Sequence, residues 1–222
     1  MTGILLAAGR SERMGVDKPT LKINGEMLVE RHVRQLARVG VQQIVVVCNA
    51  LNQREIRGRT VLQRGDSMSS AVLTGIEEAG AAAVCLVCVN DVVGDGDYRR
   101  IFATKSVEKG IFIPTFRLDR TFSGGCLELN PATFAVRRIV EKPEGGCPPG
   151  AAANIMIHRI LGREILERLQ SMLREGIEYE TALNELIGDG VPATAIQIES
   201  WVAIKTPEDL NRIRDAARGS GT

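Results

Sequence analysis

The clearest indication of the fold is the segment Gly3–Pro19, GILLAAGRSERMGVDKP. Its first six residues, Gly3–Ala8, form an apolar run with the length of a buried β-strand, and a polar loop with two glycines follows at once. Open α/β sheets bind their ligands at the carboxyl ends of such strands. The loop glycines allow close backbone approach, while Arg13 and Lys18 add positive charge. The segment therefore predicts a phosphate-binding loop, with a solvated polar loop as the alternative.

The rest of the first half repeats this alternation of apolar and amphipathic segments. Helices are predicted at Met27–Ala37 and Met68–Ala79, and apolar strands at Gln43–Cys48, Thr60–Gln63 and Ala82–Val89. Nearly continuous apolar strands are typical of a parallel sheet that is covered by helices on both faces. The sequence therefore predicts an α/β protein with three layers, α/β/α.

Beyond about residue 110 the pattern changes to successive strands with little helix between them. The predicted elements are strands at Gly110–Thr115, Gly124–Leu129, Val136–Glu141 and Ala152–His158, helices at Arg163–Arg174 and Glu180–Leu186, a strand at Ala193–Glu199, and a helix that opens at Thr206–Asp209. Because no linker or repeat separates the halves, we predict a single domain over residues 1–218, divided at 109/110. The tail, residues 219–222, is expected to be flexible.

Composition excludes several classes of function. The 222 residues carry 28 Lys and Arg against 27 Asp and Glu, and a net charge of +1 argues against a surface built for nucleic acid or an anionic membrane. The longest apolar run, Ala81–Val89, is too short to span a bilayer. The start MTGILLAAGR has no basic n-region, so we expect no secretory signal. The five cysteines favour a reducing cytoplasm, and Cys85 and Cys88 should point to opposite faces of one strand.

The loop sequence has a specific likeness. The pattern L-A-A-G-x-x-x-R-M-G-x-D-K-P, at Leu6–Pro19, resembles the nucleotidyltransferases that couple a nucleoside triphosphate to a phosphorylated small molecule. Its D-K form is similar to the branch that acts on the molybdenum cofactor, although Ser11 replaces the family's second glycine. The resemblance implies a Rossmann-like fold of the nucleotide-diphospho-sugar transferase type, with a mostly parallel mixed sheet, a nucleotide-binding half at 1–109 and an acceptor-binding half at 110–218. It also implies nucleotide contacts from Ala7, Ala8, Gly9, Arg10, Arg13 and Lys18, of which Arg13 and Lys18 are catalytic.

Two further positions of the first half match the same family. The segment Gly65–Ser70 opens a helix, as does the family's segment beside the nucleotide base, so Gly65 and Ser70 are expected to contact the nucleotide; an ordinary serine-capped helix is the alternative. Asp91 occupies the position of the family's metal-binding aspartate. Since magnesium takes one or two carboxylates together with phosphate oxygens, the resemblance implies a Mg²⁺ cofactor at Asp91.

The second half resembles the sugar-phosphate branch. Val140–Pro143, V-E-K-P, follows Gly125 and precedes Asn154 in the order of those enzymes. The resemblance implies an acceptor site of Gly125, Glu141, Lys142 and Asn154, in which Glu141 meets sugar hydroxyls, Asn154 binds the sugar, and Lys142 meets the acceptor phosphate and is catalytic. The family's N-A-G-I-Y is here Asn154–His158, without the glycine.

The last match departs from the family. Trp201–Leu210 is similar to W-x-D-I-D/N-T-P-E-D-L, but Ala203 and Lys205 stand where an acid or amide often helps to hold the metal. Either one carboxylate suffices, or Asp95 or Asp97 substitutes, or activity is weakened. A further hypothesis is that Lys205 supplies the missing cationic stabilisation near the phosphates, with a solvated lysine as the alternative.

The sequence thus predicts a magnesium-dependent nucleotidyltransferase that acts on a sugar 1-phosphate or similar acceptor. A cofactor- or polyol-phosphate acceptor and a non-catalytic nucleotide-binding module are the alternatives; a dinucleotide oxidoreductase lacks its G-x-G-x-x-G fingerprint. The family resemblance makes a homodimer plausible. We expect His32 on the exposed side of its helix and His158 at a strand end, both with structural roles, and Trp201 in packing between elements.

Overall fold

A computed structural model describes residues 1–9, 15–103 and 109–219, with side chains to residue 213. Its strands are, in chain order, β1 Thr2–Leu6, β2 Lys22–Ile23, β3 Glu26–Met27, β4 Gln43–Cys48, β5 Thr60–Leu62, β6 Ala83–Cys88, β7 Asp91–Val93, β8 Gly110–Arg117, β9 Cys126–Leu129, β10 Val136–Val140, β11 Ala152–Asn154, β12 Ile157–Leu161, β13 Ala193–Gln197 and β14 Trp201–Ala203. Its helices are α1 Leu28–Arg38, α2 Met68–Ala79, α3 Asp95–Ala103, α4 Arg163–Arg174, α5 Tyr179–Gly188 and α6 Pro207–Gly219.

Strands from both halves of the chain join one mixed sheet in the order β10-β9-β11-β8-β12-β6-β1-β4-β5, with β13 beside β8. In this sheet β1, β4, β5 and β6 of the first half are parallel to one another, because each is followed by a helix or a long connection that returns to the same edge. β12 pairs antiparallel with both β6 and β8, and thereby joins the antiparallel strands of the second half to the parallel ones. The predicted α/β fold with a mixed central sheet is confirmed.

The two faces of β1 show why the fold has three layers. All five residues of this strand are buried, since it lies between β4 and β6. Ile4 packs in the cluster that holds α2, α4 and α5, whereas Leu5 packs in the opposite cluster with α1 and α3. Cys85 and Cys88 of β6 likewise fall in opposite clusters, as predicted.

One glycine sets the distance between α2 and the sheet. A Cβ at Gly75 would lie 2.3 Å from Ile4 Cγ2, so only glycine permits this approach of helix and strand. The close packing brings the first turn of α2 to the carboxyl end of β1, where the polar loop begins.

The sequence missed several short elements. The Asn24–Gly25 turn closes the β2–β3 hairpin with positive φ angles of 52° and 85°. Helix α3 and the pair formed by β7 and β14 were also not predicted. The expected tail begins at the last residue of α6, Gly219, and otherwise lies outside the described residues.

The placement of His32 was wrong. Its side chain is fully buried on α1, with Nδ1 2.7 Å from the Tyr98 hydroxyl of α3 and Nε2 3.1 Å from the Val89 carbonyl oxygen. Burial lowers the pKa of His32 to about 4, so the ring is neutral. The exposed position followed from leaving α3 out of the prediction. None of the helices in the described ranges is long and apolar enough to cross a membrane.

Candidate active site

A cleft of about 420 Å³ opens at the carboxyl ends of β1, β4 and β6, beside the first turn of α2. Five of the predicted nucleotide contacts line it, namely Ala7, Ala8, Gly9, Lys18 and Gly65. Arg10 and Arg13 lie outside the described residues, so their expected contacts stay predictions. The cleft is where the topology of an open α/β sheet places a ligand.

Asparagines after β4 fix both ends of the polar loop. Asn52 Nδ2 donates to the Ala7 carbonyl oxygen at 2.8 Å and to the two carboxylate oxygens of Asp17 at 3.1 and 3.2 Å. Asn49 Nδ2 donates to the Ala8 carbonyl oxygen at 3.3 Å. These asparagines were not predicted from the sequence, although polar side chains directly after a buried parallel strand are a signal that could have indicated them.

The first turn of α2 is a hydrogen-bonded cap. Ser70 N donates to Ser67 Oγ at 3.0 Å, and Ser67 N donates to Ser70 Oγ at 3.1 Å. Gln63 Nε2 also donates to Ser70 Oγ, at 2.9 Å. The Ser70 hydroxyl therefore serves the cap, and its predicted nucleotide contact stays a prediction. Gly65 has a φ of +95°, and a Cβ there would lie 3.0 Å from Ser70 Cβ, so the turn into the helix requires glycine.

Asp91 begins β7 as a nearly buried carboxylate, 9% exposed. Its Oδ1 accepts a hydrogen bond from Trp201 Nε1 at 2.8 Å, and its Oδ2 accepts one from Met156 N at 3.3 Å. Burial raises the pKa of Asp91 to about 6, although both donors and the positive charge of Lys205 act in the opposite direction. Ala203 is the register partner of Asp91 in the pair β7–β14, so the residue that departs from the family pattern stands directly opposite the carboxylate.

Neither of the proposed substitute acids is available to help Asp91. Asp95 accepts a hydrogen bond from Gln35 Nε2 at 2.8 Å and pairs with two arginines of α1. Asp97 accepts hydrogen bonds from Ser200 Oγ at 2.6 Å and from the backbone N–H groups of residues 199 and 200. Of the three alternatives, substitution by Asp95 or Asp97 is therefore the least favoured, because these carboxylates attach α3 to its neighbours.

Charges from three parts of the chain act on the end of β6. The pKa of the Cys88 thiol is raised to about 12, chiefly by burial; Asp91 raises it further, while Lys18 and Lys205 lower it. The two lysines and the carboxylate are therefore close enough to act on one sulfur atom. Lys205 Nζ lies 3.8 Å from the centroid of the Phe122 ring and contacts the Ser123 carbonyl oxygen.

The four predicted acceptor residues lie together at the edge formed by β9, β10 and β11. A Cβ at Gly125 would lie 2.5 Å from Glu141 Oε2 and 3.3 Å from Asn154 Cβ, so glycine leaves space between these two side chains. Lys142 Nζ is 3.5 Å from Glu141 Oε1, and the Lys142 side chain is mostly exposed. The segment that follows Asn154 continues to Met156, whose backbone N–H binds Asp91, which connects the acceptor residues to the carboxylate.

The oxygen atoms around Asp91 are donors of the kind that magnesium binds. Among the described residues, no group of three or more His, Cys, Asp or Glu side chains could hold a metal ion. Each Asp91 oxygen accepts one hydrogen bond and keeps a lone pair, and the neighbouring Asn90 Oδ1 is a buried oxygen with no hydrogen-bond partner in the described part of the chain. One carboxylate plus phosphate oxygens is a mode that magnesium uses, so the residues fit that cofactor.

Comparison with known proteins identifies the family. Residues 3–181 match the family model described as MobA-like NTP transferase domain. A protein from Opitutus terrae that is assigned as a molybdenum cofactor guanylyltransferase is 38% identical over 84 residues, which are 37% of this chain and 41% of that protein. The aligned region thus spans less than half the length of this relative.

Solved structures show the fold. A protein from Bacillus anthracis assigned as a glucose-1-phosphate thymidylyltransferase, crystallised with a sucrose, superposes with a TM-score of 0.80 at 16% identity, covering 98% of this chain and 96% of that chain. A UDP-glucose pyrophosphorylase from Acinetobacter baumanii gives a TM-score of 0.75 at 15% identity, covering 96% and 91%.

Proposed function

The chain belongs to the MobA-like NTP transferase family, and we propose that it is a nucleotidyltransferase that transfers a nucleoside monophosphate from a triphosphate to a phosphorylated small molecule. The observation that carries this proposal is the cleft between the end of β1 and the first turn of α2, with Lys18 on its wall and the Asp91 carboxylate at the neighbouring strand end. It brings backbone N–H groups, a cation and a carboxylate to one edge of the sheet.

The triphosphate is proposed to lie along the polar loop. Backbone groups of Ala7, Ala8 and Gly9 meet the nucleotide, and Arg10, Arg13 and Lys18 neutralise the phosphates. Asn52 hydrogen-bonds to Ala7 and to Asp17, and so holds the two described ends of the loop together. Cationic groups at the phosphates stabilise the charge that accumulates on the leaving pyrophosphate.

The proposed reaction is a direct displacement. An oxygen of the acceptor phosphate attacks the α-phosphorus in line, the bond between the α-phosphorus and the bridging oxygen breaks, and pyrophosphate leaves with that oxygen. The protein supplies no nucleophile, because positioning and charge neutralisation are sufficient for this chemistry. Asp91 would hold Mg²⁺, which when bound supplies positive charge to the phosphate oxygens. Lys205 adds a second positive charge on the side of Asp91 where an acid is absent.

A sugar 1-phosphate is the acceptor that the second half favours. Around the space left by Gly125, the Glu141 carboxylate can accept hydrogen bonds from sugar hydroxyl groups and the Asn154 amide can donate one to them. Lys142 is proposed to bind the incoming phosphate and to reduce its repulsion from the triphosphate. A second candidate, the phosphate of the molybdenum cofactor, is favoured by the likeness to the Opitutus terrae protein and by the D-K form of the loop.

A matrix of substrates tests the proposal. Five nucleoside triphosphates are each combined with sugar 1-phosphates, with polyol phosphates and with the molybdenum cofactor, which carries a phosphate group. The released pyrophosphate is measured. We expect release with one class of acceptor, and a loss of about a hundredfold in Arg13→Ala. Arg168→Ala, which removes an exposed arginine on α4, is the matched control and should retain activity. Triphosphate binding without pyrophosphate release across the whole panel would instead support a regulatory module.

A further inference from the structure

A buried hydrogen-bonded chain leads from the interior to Asn154. His158, which was expected at a strand end, is fully buried on β12. Its Nε2 lies 2.9 Å from Asn154 Oδ1, and its Nδ1 lies 2.9 Å from the Tyr179 hydroxyl at the start of α5. The two rings are stacked, with centroids 5.8 Å apart. Burial lowers the pKa of His158 to about 3, so the ring carries one N–H rather than two.

The partners of His158 determine where that hydrogen sits. An amide oxygen can only accept, so the hydrogen is on Nε2 and is donated to Asn154 Oδ1. Nδ1 then accepts from the Tyr179 hydroxyl. This arrangement directs the Asn154 amide N–H₂ towards Gly125 and Glu141, the residues of the proposed acceptor site. A Cβ built on Gly125 would lie 3.4 Å from Asn154 Nδ2 and 2.5 Å from Glu141 Oε2. A flipped amide would bring its oxygen towards the Glu141 carboxylate, which is the less favourable pairing.

The chain of hydrogen bonds continues from Tyr179 to α2, the helix that borders the nucleotide cleft. Tyr179 N donates to Ser69 Oγ at 2.9 Å, and Ser69 Oγ donates to Glu178 Oε2 at 2.8 Å. Ser69 is buried in the first turn of α2. The orientation of Asn154 is therefore tied, through Tyr179, to the element on which Gly65 and the α2 cap lie.

We propose that His158 and Tyr179 are positioning residues that hold the Asn154 amide with its N–H₂ group towards the acceptor. The proposal rests on the nucleotidyltransferase function and on Asn154 as an acceptor contact. An N–H₂ group that is held in one orientation favours an acceptor substrate with an oxygen atom within its reach. An amide free to rotate would present either its oxygen or its nitrogen to the substrate. Tyr179 acts one step further away, since without its hydroxyl the ring of His158 is free to take the other tautomer.

The test separates acceptor binding from nucleotide binding. In His158→Phe we expect the acceptor KM to rise by on the order of tenfold, with the triphosphate KM within about twofold of wild type. His158→Gln keeps an N–H donor near the position of Nε2 and should recover most of the acceptor KM, whereas Tyr179→Phe should give an intermediate value. His32→Phe removes the other buried histidine, on the opposite face of the sheet, and controls for general loss of stability.

A second measurement does not depend on turnover. The ¹⁵N chemical shifts of the His158 ring at pH 7 should show the Nε2–H tautomer in wild type and a mixture of tautomers in Tyr179→Phe. An Nδ1–H tautomer in wild type, or an unchanged acceptor KM in a folded His158→Phe, would overturn the inference. If wild type turns over no acceptor, the proposed function fails, and the same spectra still decide how the Asn154 amide is oriented. If His158→Phe does not fold, Tyr179→Phe and His158→Gln carry the kinetic comparison.

Discussion

Replacing Asp91 by asparagine should make the protein more stable and much less active. The carboxylate is buried and, among the residues that the structure describes, accepts hydrogen bonds only from Trp201 Nε1 and Met156 N, the second of them long at 3.3 Å. Burial holds the pKa of Asp91 at about 6, above the ordinary value of 3.8. A buried carboxylate that stabilised the fold would accept more hydrogen bonds than this. The ionised Asp91 therefore lowers the stability of the folded protein, and the proposed metal site gives a reason for its presence.

The magnitude follows from the pKa values. Between pH 3.8 and about 6 the folded chain holds the Asp91 proton that the unfolded chain has lost, so stability falls as the pH rises through this window. A shift of about two units corresponds to roughly 3 kcal/mol at pH 7. Asparagine removes that cost. In one of its orientations, however, its N–H₂ group faces the Met156 N–H, which then loses its hydrogen bond. The net gain in the free energy of unfolding is therefore about 1–2 kcal/mol. For a chain of this length the melting temperature should rise by about 3–6 °C at pH 7.

Thermal unfolding in EDTA at pH 7 and at pH 4 measures this directly. The gain in Asp91→Asn should be present at pH 7 and absent at pH 4, where wild-type Asp91 is itself protonated, while pyrophosphate release falls about a hundredfold. Asp97→Asn is the matched control: this carboxylate is also buried but accepts hydrogen bonds from Ser200 and the backbone of residue 199, so its replacement should lower the melting temperature. A similar loss of stability in both variants at pH 7 would refute the reasoning.

Three further changes test the packing and the charges. Gly75→Ala should destabilise the protein by roughly 2 kcal/mol, because its Cβ would lie 2.3 Å from Ile4 Cγ2, whereas Gly188→Ala, which meets nothing within 4 Å, should be neutral or slightly stabilising in the same denaturant titration. Gly125→Ala should raise the acceptor KM by roughly tenfold and leave the triphosphate KM unchanged, since the added methyl group would lie 2.5 Å from a carboxylate oxygen. Lys205→Met should lower kcat by about tenfold and raise the magnesium concentration required for half-maximal rate. An unchanged rate with unchanged magnesium dependence would exclude a role for Lys205.

Local patterns revealed the parts of the site that lie at strand ends. The apolar run Gly3–Ala8 predicted β1 because a strand buried on both faces leaves no polar alternation, and the polar residues after it marked the edge where the cleft opens. Asp91 was predicted as a metal ligand from its match to the family's aspartate, and it directly follows the most apolar strand. These predictions use residues that are adjacent along the chain, so they could be made from the sequence alone.

Contacts between distant segments could not be predicted in this way. Helix α3 was missed because its sequence, DGDYRRIFA, is short and opens with two aspartates and a glycine, and without Tyr98 of α3 nothing indicated a partner that could bury His32. Trp201 was expected only to pack, and it does lie 5.0 Å from Phe122 between ring centroids. Its hydrogen bond to Asp91 joins residues 110 positions apart, and no pattern within either segment signals that contact.

This contact also gives the protein a built-in optical signal. Trp201 is the chain's single tryptophan, and its indole N–H is bonded to the carboxylate proposed to hold the metal. The emission of an indole responds to the charge beside it, so the native fluorescence of the unlabelled protein reports whether Asp91 is ionised, protonated or bound to a cation. A titration followed in a fluorimeter thereby observes the surroundings of Asp91, without background from any other tryptophan.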